Sequence, residues 1–191
     1  MRAVISVWDK TGLDGFVKGL ASLGWELVAS GGTAAYIEEL GLKVTSVESV
    51  TDFPEMLGGR VKTLHPAIHA GILARREVDA DLVALDEQGI GLFDLVCINL
   101  YPFEQVAREH GVREEEAVEM IDVGGPSMLR GAAKNFAHVT PVCRPADYAP
   151  LLARAQACER IRKRLPNLLA VNFYKEGDVF RVADTLNRIR S

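Results

Sequence analysis

The chain has 191 residues, of which 48% are hydrophobic and 25% are charged, and its formal net charge is −4 at pH 7. This length and this composition are typical of a globular domain with a sizeable core. The acidic balance argues against a general nucleic-acid binder. No apolar run approaches the roughly 18 residues of a membrane span, which argues against a membrane protein.

Cysteine and histidine usage indicates neither a disulfide framework nor a metal site. Cys97, Cys143 and Cys158 are scattered and form no CxxC pair, which is typical of reduced thiols in a cytosolic protein. His65 and His69 lie four residues apart without a nearby cysteine or carboxylate to complete a ligand set. Nothing N-terminal resembles a signal peptide, so the predicted location is the cytoplasm.

The first fifty residues alternate between β-type runs and amphipathic helices. The predicted elements are strand 3–8, helix 13–23, strand 25–29, a helix that ends at Gly41, and strand 44–47. Helix 13–23 is predicted from apolar residues at three- and four-residue spacing. This strand–helix–strand alternation predicts right-handed βαβ units and a parallel sheet.

The rest of the chain continues the alternation after a glycine-rich segment at 57–66. The predicted elements are helix 66–73, a helix around 82–85, a buried strand 94–100, a polar helix 114–120, a helix that starts at Pro126, strand 139–143, helix 148–165, strand 168–173 and helix 179–189. Pro141 cannot donate to a β-ladder, which predicts that strand 139–143 lies near a sheet edge.

The glycine-rich segment has the composition of an anion-binding loop. Gly58 and Gly59 allow positive φ angles, and Arg60 and Lys62 point the same way if the run is extended. With the hydroxyl of Thr63 and a helix start just beyond, these groups suit an anionic ligand, foremost a phosphate. A solvated basic turn is the alternative interpretation.

Other informative turns also follow predicted strands. They are residues 9–11, 30–33, 99–101 and 121–125, and they should gather along one rim because ligands of open α/β sheets bind outside the carboxyl ends of the strands. The turn at 30–33 offers free N–H groups and two hydroxyls at a helix start, although Ser and Thr cap many helices. It is neither a Walker A loop nor a GxGxxG fingerprint. An ordinary ion pair between Asp122 and Lys134, and core packing of Tyr101, remain open.

Several long motifs, in order, resemble the inosine monophosphate (IMP) cyclohydrolase domain of the bifunctional PurH family. These motifs are residues 6–13, 27–34, 53–71, 99–103 and 121–135. The resemblance implies a methylglyoxal-synthase-like fold, a Rossmann-like three-layer α/β sandwich with a mainly parallel sheet. It also implies ring closure of 5-formamidoimidazole-4-carboxamide ribotide (FAICAR) to IMP with loss of water, the final step of de novo purine biosynthesis.

The resemblance also implies which residues carry this reaction, without any cofactor or metal. The substrate contacts would be Trp8, Asp9, Lys10, Ser30, Gly31, Gly32, Thr33, Arg60, Val61, Lys62, Thr63, Ile98, Asn99, Tyr101, Asp122, Val123 and Gly124. Lys134 would be the principal proton donor, and Asp122 would orient the carboxamide and help remove its proton. Lys62 and Tyr101 would fix the other side of the reacting groups.

The resemblance covers roughly residues 3–150 and sets the expected organisation. We expect a cyclohydrolase-like domain at 1–154 and a helix–strand–helix extension at 155–191, of unassigned role, packed on the same domain. The expected partner is a purine ribotide, with no nucleic acid or membrane, and the chain is expected to form a homodimer. The family's larger formyltransferase domain is absent from this sequence, so formyl transfer is not expected of it.

Two other functions remain open. A methylglyoxal-synthase-type lyase would use a similar phosphate site for a small phosphorylated triose, whereas residues 99–103 and 121–135 favour the nucleotide enzyme. A non-catalytic regulatory module would bind a nucleotide without turnover. The presence of Lys62, Tyr101, Asp122 and Lys134 argues against such a module.

Overall fold

The computed structural model describes residues 1–109 and 111–162. Within them, one sheet contains the five strands β1 (Arg2–Val7), β2 (Glu26–Ala29), β3 (Thr45–Ser46), β4 (Leu95–Asn99) and β5 (Thr140–Val142). All neighbouring strands are parallel, in the order β3-β2-β1-β4-β5. The predicted parallel sheet is confirmed, and β5 lies at its edge as Pro141 predicted.

Nine helices of four or more residues surround this sheet in the described part of the chain. They are α1 (Leu13–Ser22), α2 (Gly31–Glu39), α3 (Val47–Thr51), α4 (Pro66–Leu73), α5 (Asp79–Glu87), α6 (Phe103–Ala107), α7 (Glu114–Glu119), α8 (Gly124–Lys134) and α9 (Tyr148–Arg162). Two short 3₁₀ turns lie at Leu57–Gly59 and Pro145–Asp147. None of the described helices is both long and apolar enough to cross a membrane.

The two faces of the sheet are covered by different helices. Along β1, Ala3, Ile5 and Val7 belong to one hydrophobic cluster and Val4 to the other, because successive side chains of a strand point to opposite faces. The first cluster contains buried side chains of α1, α2 and α9, and the second contains those of α3, α4 and α8. The predicted three-layer α/β sandwich is therefore confirmed.

The prediction from the sequence was wrong about three local features. The third strand is shorter than predicted because α3 starts at Val47, where the Ser46 hydroxyl accepts a hydrogen bond from the Ser49 N–H at 3.0 Å. Helix α6 was not predicted. Helix α8 starts at Gly124 rather than at Pro126, and the Asp122 carboxylate accepts a hydrogen bond from the N–H of Gly125 at 2.8 Å.

The expected boundary after residue 154 falls inside helix α9, which continues to Arg162. The predicted strand 168–173 and helix 179–189 lie outside the described residues, so the proposed extension stays a prediction.

Candidate functional site

A cavity of about 370 Å³ opens at the carboxyl end of the sheet. Three strand ends reach it, because Ser6 is the second-last residue of β1, Ser30 follows β2, and Tyr101 lies two residues after β4. The remaining lining residues are Gly58, Gly59, Arg60, Lys62, Thr63, Leu64, Val118, Glu119, Ile121, Asp122, Val123, Gly124 and Gly125. The glycine-rich segment and the 121–125 turn, far apart in sequence, thus share one cavity.

The glycine-rich segment is a tight loop rather than the extended run considered from the sequence. Met56 and Val61 exchange two backbone hydrogen bonds, of 3.3 and 3.4 Å, and Gly58 between them has a φ of +62°. This short hairpin still directs both cations to the cavity, since Arg60 and Lys62 line it. Each cation is paired with a carboxylate, Arg60 with Glu119 and Lys62 with Glu55.

The Arg60–Glu119 pair links the loop to the end of α7 at the cavity wall. Both side chains are more than half exposed. The Glu119 carboxylate raises the pKa of the Arg60 guanidinium, and the guanidinium lowers the pKa of Glu119. Because exposed ion pairs contribute little free energy and are screened by salt, this contact is easily exchanged.

Asp122 is the partly buried acid of the cavity. Its carboxylate accepts the Gly125 N–H at 2.8 Å, and burial raises its pKa above the ordinary 3.8. Among the described residues no cation lies within ion-pair distance of it. A carboxylate without a counter-ion in a desolvated position is a stronger base than one in water, which suits proton removal.

Thr63 is held by close packing on the other side of the cavity. Its side chain is buried, and a Cβ atom at Gly124 would lie less than 3.0 Å from its hydroxyl oxygen. His69 on α4 bonds the Thr63 backbone, and burial lowers the His69 pKa, which favours the neutral ring. Only glycine at position 124 therefore lets the start of α8 approach the Thr63 hydroxyl.

A second, shallower cleft on the same rim contains other predicted contacts. Trp8, Asp9, Lys10 and Asn99 line it, together with Leu100, Pro102 and Gln105. The Asn99 side chain organises the turn, because its oxygen accepts the N–H groups of Trp8 and Asp9 at 2.7 and 2.9 Å. Its amide nitrogen donates to the Asp9 carbonyl at 2.7 Å.

Two predicted contacts, Ile98 and Thr33, and the predicted proton donor Lys134 lie away from the cavity or have side chains bonded elsewhere. Ile98 is fully buried in the core. The Thr33 hydroxyl bonds both the N–H and the carbonyl of Val7, at 3.2 Å each. Lys134 is exposed at the last residue of α8, whereas Asp122 precedes the first residue. Gly31 and Gly32 form the start of α2 after the cavity-lining Ser30, and Val61 lies between the cavity-lining Arg60 and Lys62, but none of the three lines the cavity itself.

The distance between Asp122 and Lys134 follows from helix geometry. Ten residue steps separate the two ends of α8, so they lie about 15 Å apart along the axis. A lysine side chain is less than half that long. The structure therefore does not bring these two predicted catalytic residues together within one chain.

Sequence reasoning missed three polar residues at this site. Ser6 lies inside a buried strand pattern, where its hydroxyl carries no separate signal. Glu119 and Glu55 reach the cations from the end of α7 and from the loop before Leu57–Gly59. Both carboxylates pair with cations of the glycine-rich loop. The hydrophobic periodicity of a sequence predicts helices and strands but not the paths of loops.

Comparison with protein families identifies the architecture. Residues 12–127, more than half of the chain, match the family model of the MGS-like domain. The chain belongs to the MGS-like domain family.

The sequence is also similar to curated proteins of known name. The chain is 58% identical over 151 residues to the bifunctional purine biosynthesis protein PurH of Pediococcus pentosaceus, covering 79% of the chain and 30% of that protein. It is 51% identical over 172 residues to PurH of Leuconostoc mesenteroides, covering 90% and 34%. The chain spans about a third of the length of these relatives, and the predicted PurH resemblance is confirmed.

A solved structure has the same fold. The crystal structure of ForH matches with a TM-score of 0.76 and 40% sequence identity, covering 87% of this chain and 85% of that one. The MGS-like sandwich predicted from the sequence is therefore supported by both the family match and a solved relative.

Proposed function

We propose that the chain is an IMP cyclohydrolase of purine biosynthesis, which closes FAICAR to IMP with loss of water. The observation that carries the proposal is that Lys62, Tyr101 and Asp122 line one cavity at the carboxyl end of the sheet. The similarity to PurH proteins supports purine biosynthesis as the setting. It also supports a purine ribotide as the substrate.

The cavity has suitable groups for the substrate's phosphate. Ser30 stands at the N-cap of α2 and lines the cavity, where free N–H groups and the helix dipole favour an anion. Lys62 and Arg60 supply positive charge, and Thr63 supplies a hydroxyl. These groups would anchor the ribotide and leave its base near Tyr101 and Asp122.

Ring closure needs proton transfers that these side chains can supply. The carboxamide nitrogen attacks the formyl carbon and forms the C–N bond as it loses one proton, while the formyl oxygen gains negative charge and takes up a proton to become a hydroxyl. The C–O bond then breaks and the hydroxyl leaves with a second proton as water, while the formamide nitrogen loses its proton and forms the C=N bond of the ring. Asp122 is the proposed base, because its raised pKa strengthens proton uptake. Tyr101 is the proposed donor to the developing oxyanion, while Lys62 holds the phosphate end of the same substrate.

Lys134 stays in the proposal as the principal proton donor on the strength of the resemblance alone. Since about 15 Å of helix separates it from Asp122 of its own chain, this role requires that Lys134 reach the cavity of a second copy. The proposed cytoplasmic homodimer, which rests on the same resemblance, would provide that copy.

A second candidate is a lyase that acts on a small phosphorylated triose. The match to the MGS-like domain favours it because the fold and the phosphate-binding groups would serve both reactions. The aromatic Tyr101 and the half-buried Asp122, which line the same cavity, favour the larger purine ribotide instead.

The deciding experiment follows the ultraviolet absorbance of FAICAR as the purified chain converts it to IMP. We expect turnover by the wild type and its loss in the Asp122→Asn variant. Tight IMP binding without turnover would favour a regulatory module. Turnover of a phosphorylated triose in place of FAICAR would favour the lyase.

A further inference from the structure

Glu55 and Lys62 form an ion pair at the edge of the cavity. The Lys62 ammonium contacts the Glu55 carboxylate, and the two side chains retain 21% and 39% of their exposure. Lys62 lines the cavity, whereas Glu55, in the loop before Leu57–Gly59, is not one of the lining residues. The pair is therefore partly shielded from water, unlike the exposed Arg60–Glu119 pair.

Two glycines make room for this ion pair. A Cβ atom on Gly31 would lie 2.9 Å from Lys62 Nζ, and a Cβ atom on Gly59 would lie 2.9 Å from Glu55 Oε1. Both glycines also have positive φ angles, of 53° and 94°. The backbone on each side is thus shaped so that the ammonium and the carboxylate can meet.

The ammonium lies at an electrostatically unfavourable position without a nearby anion. Gly31 is the first residue of α2, where the helix dipole places partial positive charge and repels a cation. The Glu55 carboxylate offsets this repulsion. A phosphate at the same helix end would be favoured by the dipole and by Lys62 together.

We propose that Glu55 is a positioning residue that holds Lys62 at the start of α2 and is displaced from it by the phosphate of the substrate. The carboxylate and the phosphate compete for the same ammonium. The identity of the phosphate as that of a purine ribotide rests on the proposed function. The competition itself requires only an anionic ligand that binds at Lys62.

The direction of the effect separates this role from a purely structural one. If Glu55 only supported the loop, its replacement would weaken phosphate binding. If Glu55 competes with the ligand, Glu55→Gln should strengthen binding, because the ligand no longer has to break an ion pair. Partly exposed pairs contribute modestly, so we expect binding to be about two- to fivefold tighter.

The experiment uses the full chain and two probes, inorganic phosphate followed by ³¹P nuclear magnetic resonance and IMP followed by calorimetry. Glu104→Gln is the matched control, because Glu104 of α6 is 84% exposed and pairs with Arg108, which directly follows that helix. It removes the same charge without touching Lys62. We expect Glu55→Gln to bind phosphate more tightly than both the wild type and this control.

A double-mutant cycle decides whether the effect acts through Lys62. In a Lys62→Met background, Glu55→Gln should no longer change phosphate binding. An equal gain in both backgrounds would show a general charge effect and overturn the inference. Unchanged or weaker binding by Glu55→Gln, or no phosphate binding by any variant, would overturn it as well.

The two probes keep this inference separate from the proposed function. A wild type that binds phosphate but neither binds IMP nor converts FAICAR would contradict the cyclohydrolase, while the phosphate series would still test Glu55. A chain with full FAICAR turnover, but with no gain in Glu55→Gln, would contradict only the role of Glu55.

Discussion

The rings of Trp8 and Tyr101 meet edge to face, with centroids 5.3 Å apart and an interplanar angle of 76°. Tyr101 lines the main cavity, whereas Trp8 lines the neighbouring cleft and is half exposed. The pair therefore joins the two predicted contact regions of the rim. Trp8 restricts where the Tyr101 hydroxyl can point.

Removal of the Trp8 ring should impair the reaction through Tyr101. Aromatic pairs of this kind contribute about 0.5–1.5 kcal/mol, so we expect Trp8→Ala to lower kcat/KM for FAICAR by about two- to tenfold. Trp8→Phe keeps an aromatic edge and is the control that should retain most of the activity. Equal activity of Trp8→Ala and wild type would show that Tyr101 is oriented without it.

Replacement of Lys62 should weaken substrate binding and turnover. Hydrogen bonds to charged groups contribute about 1.5–3 kcal/mol, so Lys62→Met should lower kcat/KM about 10- to 100-fold. Lys18→Met is the matched control, because Lys18 is an exposed lysine on α1, away from the cavity. Steady-state kinetics with FAICAR make the measurement. Equal losses in both variants would indicate a general effect of net charge.

Asp122→Asn should make the protein more stable and less active. The folded-state pKa of Asp122 is raised by burial above 3.8, so the folded state binds the proton more tightly than the unfolded chain. This tighter proton binding stabilises the folded state fully below about pH 3.8, and the stabilisation is lost as pH rises through the folded-state pKa. At pH 7 the ionised carboxylate therefore costs stability, and asparagine avoids this cost.

Thermal unfolding at several pH values measures this effect. We expect the Tm of Asp122→Asn to exceed that of the wild type at pH 7, by on the order of 1 °C, and the difference to shrink near pH 4. FAICAR turnover should fall about 10²-fold or more, because the base is lost. A lower Tm at pH 7 would contradict the burial argument.

Gly124→Ala should destabilise the cavity wall. The new methyl group would overlap the Thr63 hydroxyl oxygen, and overpacking of this kind typically costs about 1–3 kcal/mol. Gly15→Ala on α1 is the matched control, since a Cβ atom there meets nothing within 4 Å. Urea unfolding should show a loss for Gly124→Ala and a gain of up to about 1 kcal/mol for Gly15→Ala. Equal stabilities would contradict the close approach.

The sheet was predictable because buried strands carry continuous apolar runs and helices carry apolar residues at a longer period. Residues 94–100 were recognised in this way, and β4 occupies most of that stretch. The position of the site followed from topology, since turns at the carboxyl ends of parallel strands converge. Lys62 and Asp122 were placed in one site by that rule and by the resemblance, and they do share a cavity.

The ion pairs of the site could not be predicted because they depend on loop paths. Glu55 reaches Lys62 only because the hairpin between Met56 and Val61 folds the chain back on itself. The separation of Asp122 and Lys134, in contrast, was readable from the sequence. A predicted helix that starts at Pro126 and has Lys134 near its end already places Lys134 at the opposite end of the helix from Asp122.

Lys134→Ala tests the role that the resemblance assigns to Lys134. We expect turnover of FAICAR to fall about 10²-fold, the size of a typical general-acid contribution. Arg130→Ala, which removes an exposed cation from the same helix, should retain near-normal turnover. Near-normal turnover by Lys134→Ala would remove Lys134 from the catalytic set.

Mixing two inactive variants then tests whether Lys134 acts on a second chain. Because about 15 Å separates Lys134 from Asp122 of its own chain, a mixed pair of Lys134→Ala and Asp122→Asn chains would contain one site with both residues intact. Activity should therefore return on mixing, up to a quarter of the wild-type value per chain if pairs form at random. A loss in Lys134→Ala that mixing never restores would place its effect within its own chain. Such a loss would indicate that the substitution rearranges α8 and not that two chains share a site.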